Sequence, residues 1–202
     1  MDIFKDKLCW ITGASSGIGQ ALALELAKEG AKLVISSNQQ TDLDRVKEQC
    51  LQHTSFCEAI AFDLSNPEVV EQTALEVQQK YGAIYLLINN GGISQRALAI
   101  DTSIALDRKI MEILPKMIEA GEGYIAATSS ISGKFGFPLR SMYASAKHAI
   151  QGFFETIRLE LLPHNIFVTI AYPGRVQTNI SLNALEKDGT PHGKMDPGQA
   201  NG

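Results

Sequence analysis

The sequence predicts an α/β fold, a doubly wound parallel sheet with helices on both faces, and three observations predict it. Short apolar runs alternate with helix-length segments along most of the chain, the pattern of a parallel sheet joined by helical crossovers. Thr12-Gly13, Asp63, Asn89 to Gly92, Ser129-Ser130 and Pro173-Gly174 each follow such a run, so they gather at the carboxyl ends of the strands, where folds of this class bind ligands. Runs such as Tyr85 to Ile88 are apolar nearly throughout, as strands covered on both faces must be.

Taken in order, Leu8-Cys9-Trp10-Ile11 is the first strand, and Thr12-Gly13-Ala14-Ser15-Ser16-Gly17-Ile18-Gly19 is a glycine-rich turn. Ala21 to Ala27 then continue with helix-forming residues. Glycines at this spacing let the backbone turn tightly, approach a phosphate closely and point the helix N-terminus at the anion. Ala31 to Ser36 is the second strand, and Thr41-Asp42-Leu43-Asp44 opens a helix with capping residues that runs to about Gln52. Phe56 to Phe62 is the third strand. Ser65-Asn66-Pro67-Glu68 starts the next helix with proline in its first turn, and Tyr81-Gly82 ends it. After the fourth strand, residues 103–120 form one helix, with Pro115 expected to kink or break it. Tyr124 to Thr128 is the fifth strand, Met142 to Leu162 a long helix and Ile166 to Ala171 the sixth strand. From Asn183 to Gly202 the chain is polar and rich in Gly and Pro, and reads as a mobile loop or tail.

With 202 residues the chain suits one well-packed domain. A net charge of -4 argues against a nucleic-acid surface. Cys9, Cys50 and Cys57 show no CxxC spacing and read as reduced, mostly buried thiols, and the four histidines form no ligand motif, so no metal site is expected. The first residues carry no apolar leader and no later run is long enough to span a bilayer, which reads as a cytoplasmic protein with no membrane partner.

Tyr143 and Lys147 stand at i and i+4 of the long helix, so phenol and ammonium share a face one turn apart. A free tyrosine ionises near ~10, and a fixed cation beside it favours the phenolate, which suits acid–base chemistry near neutral pH. Taken singly, YxxxK is also an ordinary helix-surface pair, Asp63 a cap, and Ser129-Ser130 a polar loop.

Six motifs in order resemble the short-chain dehydrogenase/reductase family, nearest its carbonyl, steroid and retinoid reductase branch. They are TGASSGIG at 12–19, the DL pair at Asp63, NNGG at 89–92, SSISG at 129–133, YASAK at 143–147 and PGRVQT at 173–178. The resemblance implies a Rossmann-type sheet of order 3-2-1-4-5-6, with the usual last strand missing. It implies Tyr143 as catalytic acid or base, Lys147 as the residue that lowers the tyrosine pKa and holds the nicotinamide ribose, and Ser130 as a hydrogen-bond partner of the substrate oxygen. By the same resemblance Gly13, Ser15, Ser16, Gly17, Ile18 and Gly19 contact the adenosine and pyrophosphate. Asp63 and Leu64 flank the adenine, Asn89 and Gly91 line the cleft, and Pro173, Gly174, Val176 and Thr178 orient the nicotinamide.

Family members that use NAD commonly place an aspartate near Ser37, and many that use NADP place an arginine near Asn38. This chain has neither. With no carboxylate to repel a 2′-phosphate, and with Ser37 and Asn38 able to donate, NADP(H) is favoured over NAD(H). The other reading is an uncharged loop tolerant of both. The implied activity is hydride transfer between nicotinamide and a carbonyl or secondary alcohol. The substrate pocket would be apolar, lined by Ile93, Phe135, Phe137, Met142 and the segment after Pro173, side chains that serve equally well as core or lid packing. Arg96 is either a partner for an acidic substrate group or a solvated loop residue. The implied assembly is a homodimer or homotetramer.

Two departures bear on this reading. The family carries an asparagine on the helix after its NNAG motif that joins serine, tyrosine and lysine through a water, and here no asparagine lies between Asn90 and Ser129. Ile110-Met111-Glu112-Ile113 passes directly into Leu114-Pro115-Lys116-Met117, as though about three helical turns were absent. The 18 residues left span ~27 Å, enough to cross strands of ~17–20 Å. The sequence also stops before the family's last helix and strand, which would leave the sixth strand a bare edge. We expect the natural protein to hold further residues at both places. If the shortening is real, the proton relay is damaged, and the alternative function is a catalytically impaired member that binds nucleotide or a partner protein.

Overall fold

The computed structural model of the protein describes residues 3–92, 108–138 and 140–174, with Val176, Thr178, Thr190 and Gly193. Six strands, β1 (Leu8–Thr12), β2 (Lys32–Ser37), β3 (Cys57–Ala61), β4 (Leu86–Asn89), β5 (Gly123–Thr128) and β6 (Ile166–Ala171), form one sheet. Its order is β3-β2-β1-β4-β5-β6, and every pairing is parallel. The helices are α1 (Gly17–Lys28), α2 (Gln40–Cys50), α3 (Pro67–Tyr81), α4 (Arg108–Ala120) and α5 (Ser141–Leu161). This is the Rossmann-type order expected.

Alternation along the strands divides the core into two layers. Trp10, Val34, Leu87 and Ile125 pack with Val70, Ala74 and Val77 of α3, Ile113 and Met117 of α4, and Phe154 and Ile157 of α5. Cys9, Ile11, Leu33 and Ile35 pack on the opposite face with Ala23 and Ala27 of α1 and Leu43 and Val46 of α2. The central strands therefore bury both faces, which is why their sequences do not alternate between apolar and polar. Trp10 fills the first layer beside Phe62 and donates its indole N–H to Ser36 Oγ at 2.7 Å, so its one polar atom is satisfied. β6 pairs only with β5 and β3 only with β2, so these two are the sheet edges among the described residues.

Local chemistry explains most boundaries. Asn66 caps α3 through Oδ1, which accepts from the N–H groups of Glu68 and Val69, with Pro67 behind it and Gly82 at φ +91° closing the helix. α2 differs from expectation. Its N-cap is Gln39, so Thr41 and Asp42 lie inside the first turn, and the Ser37 hydroxyl instead accepts from Gln39 N–H at 3.1 Å. Pro115 does not break α4, which runs continuously through it. An exposed proline removes one backbone bond, and Ile113 and Met117, one turn apart and fully buried, hold the helix on both sides of it.

Residues 103–107, Ile93 and Arg96 lie outside the described residues, as do the Met142 side chain and, Thr190 and Gly193 apart, the tail from 183 to 202. Among the described residues no helix is long and apolar enough to cross a membrane. The three cysteines are free and buried.

Candidate active site

The carboxyl ends of β1, β4 and β5 and the turns that follow them form a crevice. Gly13, immediately after β1, has φ +66°, and a β-carbon there would stand 2.6 Å from Gly91 Cα, so only glycine lets the two turns meet. Asn90 knits them. Its Nδ2 donates to the carbonyl oxygens of Thr12 and Gly13, each at 3.2 Å, and Thr12 Oγ1 accepts from the N–H groups of Asn90 and Gly91. Leu64 Cδ1 closes against Gly91 from the β3 side.

The residues expected at this turn are Gly13, Ser15, Ser16, Gly17, Ile18 and Gly19; the structure places the first three between β1 and α1 and the last three in the first turn of α1. Ser16 is the N-cap of α1 but makes no side-chain cap bond, in contrast to Asn66 at α3. Uncapped N–H groups at the positive end of a twelve-residue helix, reached through glycines, fit the pyrophosphate of a dinucleotide. Gly17 faces Thr178, whose Cγ2 would lie 3.0 Å from a β-carbon there, so the segment after β6 returns over the glycine-rich turn. Gly91 and Thr178 thus meet the glycine-rich turn directly, and Pro173 meets the turn after β5, its carbonyl accepting from Ile131 N–H, whereas Val176 is exposed and Gly174 has open space around its α-carbon.

Other expected residues sit differently. Asp63 is exposed, and its carboxylate accepts from Ser65 N–H at 2.8 Å; the hydrogen bonds from Ser65 hold it below the usual carboxylate range. Asn89 precedes the knitting residue, and its side-chain oxygen and nitrogen are buried without a hydrogen-bond partner. Sequence reasoning named Asn89 and passed over Asn90. Two adjacent asparagines cannot be told apart until strand alternation assigns each a side of the sheet. Ser37 is nearly buried and occupied by the Gln39 turn, while Asn38 is exposed.

At the end of β5 the backbone turns through a short 3-10 segment, Ile131–Gly133, whose N-cap is Ser130. Ser130 Oγ accepts from Ser132 N–H at 3.2 Å, a bond that orients the hydroxyl and leaves it its own proton to donate. Ser129 Oγ donates to the Lys147 carbonyl at 3.1 Å, tying this turn to α5. Tyr143 and Lys147 share the first turns of α5, with the Lys147 ammonium 5.7 Å from the centre of the Tyr143 ring and the Arg140 guanidinium 5.8 Å from it. Lys147 Nζ donates to the Thr128 carbonyl at 2.9 Å. Loss of water around that ammonium lowers its pKa to about 8. The structure therefore brings Ser130, Tyr143 and Lys147 to one end of the sheet.

Phe135 and Phe137, on the loop between the 3-10 turn and α5, are exposed at 67% and 42%. A cavity of about 510 Å³ lies at the opposite end, among Lys7, Lys32, Tyr85 and Glu122, and takes no part in the crevice. Among the described residues no group of three or more His, Cys, Asp or Glu is placed to hold a metal.

A glycine-rich strand–helix turn, a parallel sheet of this order and a Ser/Tyr/Lys end define the class: a dinucleotide-binding α/β fold. The chain belongs to the short-chain dehydrogenase family, whose model matches residues 7–189. It is 38% identical over 210 aligned positions to dehydrogenase/reductase SDR family member 7B of Mus musculus, covering 95% of this chain and 64% of the relative. It is 40% identical over 197 positions to SDR family member 7 of Homo sapiens, covering 89% of this chain and 58% of the relative. The chain thus spans somewhat under two thirds of the length of these relatives. The 210 aligned positions exceed this chain's 202 residues, so the mouse protein holds residues without a counterpart here.

Among solved structures, L-sorbose reductase from Gluconobacter frateurii, complexed with NADPH and L-sorbose, superposes with a TM-score of 0.83 at 26% identity, covering 90% of this chain and 74% of that one. A short-chain dehydrogenase/reductase from Burkholderia phymatum in complex with NAD gives 0.81 at 26% identity, covering 89% and 69%.

Proposed function

We propose that the protein is an NAD(P)-dependent oxidoreductase, NADPH-preferring, that interconverts a carbonyl and a secondary alcohol on an apolar small molecule. The observation that carries this is the Lys147 ammonium beside the Tyr143 ring, next to a serine turn tied to the same helix. When bound, the nicotinamide supplies the carbon that gives or takes hydride. The chain's residues do the rest. Tyr143 gives its phenolic proton to the substrate oxygen in reduction and takes it back in oxidation. Lys147 sets a positive charge beside that phenol and within reach of the ribose hydroxyls. Ser130, fixed by its bond from Ser132, donates to the same substrate oxygen and counters the charge that develops there.

Support for the cofactor class comes from relatives solved with NAD and with NADPH. Support for the NADP preference is the absence of a carboxylate at the end of β2. The apolar substrate class rests on the exposed Phe135 and Phe137. A screen in which only sugars such as L-sorbose turned over would overturn it. A cytoplasmic setting and a homodimer or homotetramer complete the reading, checked by fractionation and by light scattering.

Tyr143→Phe tests the catalytic assignment. It should lower turnover at least ~100-fold while leaving nucleotide affinity unchanged, because only the transferred proton is removed. Retained activity would sink the assignment. A second reading, nucleotide binding without catalysis, is favoured by the missing asparagine between Asn90 and Ser129. Tight NADPH binding with no turnover across aldehydes, ketones, steroids and retinoids would establish it.

A further inference from the structure

The end of β2 bears no charged side chain, yet the structure brings a cation to the same corner from another element. Ala14 N–H donates to the Ser36 carbonyl at 3.1 Å, so the glycine-rich turn and the end of β2 form one surface. Arg45, the sixth residue of α2, reaches across it and places Nη2 3.2 Å from the Ser15 carbonyl oxygen. Its other charged neighbour is Asp42, on the same helix, whose carboxylate is 3.8 Å away, beyond hydrogen-bond distance. The Arg45 side chain is 48% exposed. A guanidinium has five N–H donors in a planar fork, and among the described residues that of Arg45 makes one hydrogen bond.

This corner is where the adenosine ribose lies in a fold that binds pyrophosphate at the first turn, because the ribose meets the end of the second strand. We propose that Arg45 receives the phosphate on the adenosine ribose that distinguishes NADP(H) from NAD(H), and so sets cofactor choice in this chain. The inference rests on the reading of the crevice as a nicotinamide-nucleotide site. Ser37 is not free for this role, since it is buried and its hydroxyl donates to the Gln39 carbonyl at 3.5 Å as well as accepting from the Gln39 N–H. The bond to the Ser15 carbonyl holds the guanidinium against the glycine-rich turn. A planar guanidinium matches a phosphate through two parallel hydrogen bonds, which a ribose hydroxyl cannot accept in the same way.

The test is isothermal titration of the full chain with 2′,5′-ADP and with 5′-AMP, for wild type, Arg45→Gln and Arg45→Lys. Wild type should bind 2′,5′-ADP at least ~10-fold more tightly than 5′-AMP. Arg45→Gln should lose about 10- to 100-fold of affinity for 2′,5′-ADP, the range of a charge-assisted hydrogen bond, and keep its affinity for 5′-AMP within about twofold. Arg45→Lys should recover part of the loss. Equal weakening of both ligands would mean that Arg45 merely holds the Ser15 turn, and an unchanged preference would remove it from the site; either overturns the proposal while leaving the nucleotide reading intact. Wild type that binds both alike would overturn the NADP preference and Arg45 with it but leave the nucleotide site standing, whereas wild type that binds neither would overturn the wider reading as well.

Discussion

The side-chain amide of Asn90 donates to the carbonyl oxygen of Gly13 across 3.2 Å, joining residues 77 apart in the chain. Through this bond the turn after β4 holds the turn after β1 in place. Asn90→Ala removes the donor for two carbonyls in a partly buried site and should cost about 1–3 kcal/mol of stability. Urea unfolding measures this, and nucleotide affinity should fall with it. Unchanged unfolding would show that the knitting bonds are dispensable.

Gly13 and Gly92 give opposite expectations for the same substitution. Gly13→Ala drives a β-carbon to 2.6 Å from Gly91 Cα at a positive φ, and the obstacle is backbone that has no flexible end to move. Nucleotide binding should fall at least ~10-fold, since the turn cannot keep its shape. Gly92→Ala meets nothing within 4 Å and should be neutral to within about 0.5 kcal/mol. Equal effects at the two positions would contradict the close approach of the turns.

Lys147 makes stability depend on pH with a defined sign. Its folded pKa of about 8 lies below the ~10.4 of an exposed lysine, because burial disfavours the cation. Between these values the unfolded chain binds more protons than the folded one. Stability from this group therefore rises with pH across that window, and below about 8 its unfavourable contribution is constant. Lys147→Met should abolish this rise in urea unfolding measured between about pH 7.5 and ~10. A carbon-13 label on lysine should show one signal, absent in the variant, that titrates with a midpoint of about 8.

Ile113 of α4 is buried to 1% exposure, with Met117 one turn on fully buried beside it. Ile113→Ala should cost about 2–5 kcal/mol, the range for a large-to-small change in a packed core. A loss below about 0.5 kcal/mol would show that α4 does not pack on the sheet in solution.

Much of this was legible beforehand because it depends on local chemistry. The proline and asparagine that open α3, the glycine that ends it and the apolar run of β4 act over a few residues, so spacing alone exposes them. The start of α2 was misplaced because Thr41 and Asp42 have capping side chains, while the true boundary is decided by the Ser37–Gln39 turn at the end of β2. The effect of Pro115 was overstated for a similar reason. Its local cost is outweighed by two buried neighbours whose partners lie on other elements.

The sequence by itself determined the parallel α/β class and the turns that gather at the carboxyl ends, since periodicity and turn chemistry are carried by neighbours in the chain, while the strand order came from the resemblance of its motifs to the family. Tertiary structure alone decided which asparagine of the pair knits the turns, that the Lys147 ammonium is buried against the Thr128 carbonyl, and that Arg45 reaches Ser15. Each of these is a contact between residues distant in sequence, and the direction of a side chain across such a gap exists only once the sheet has brought the two segments together.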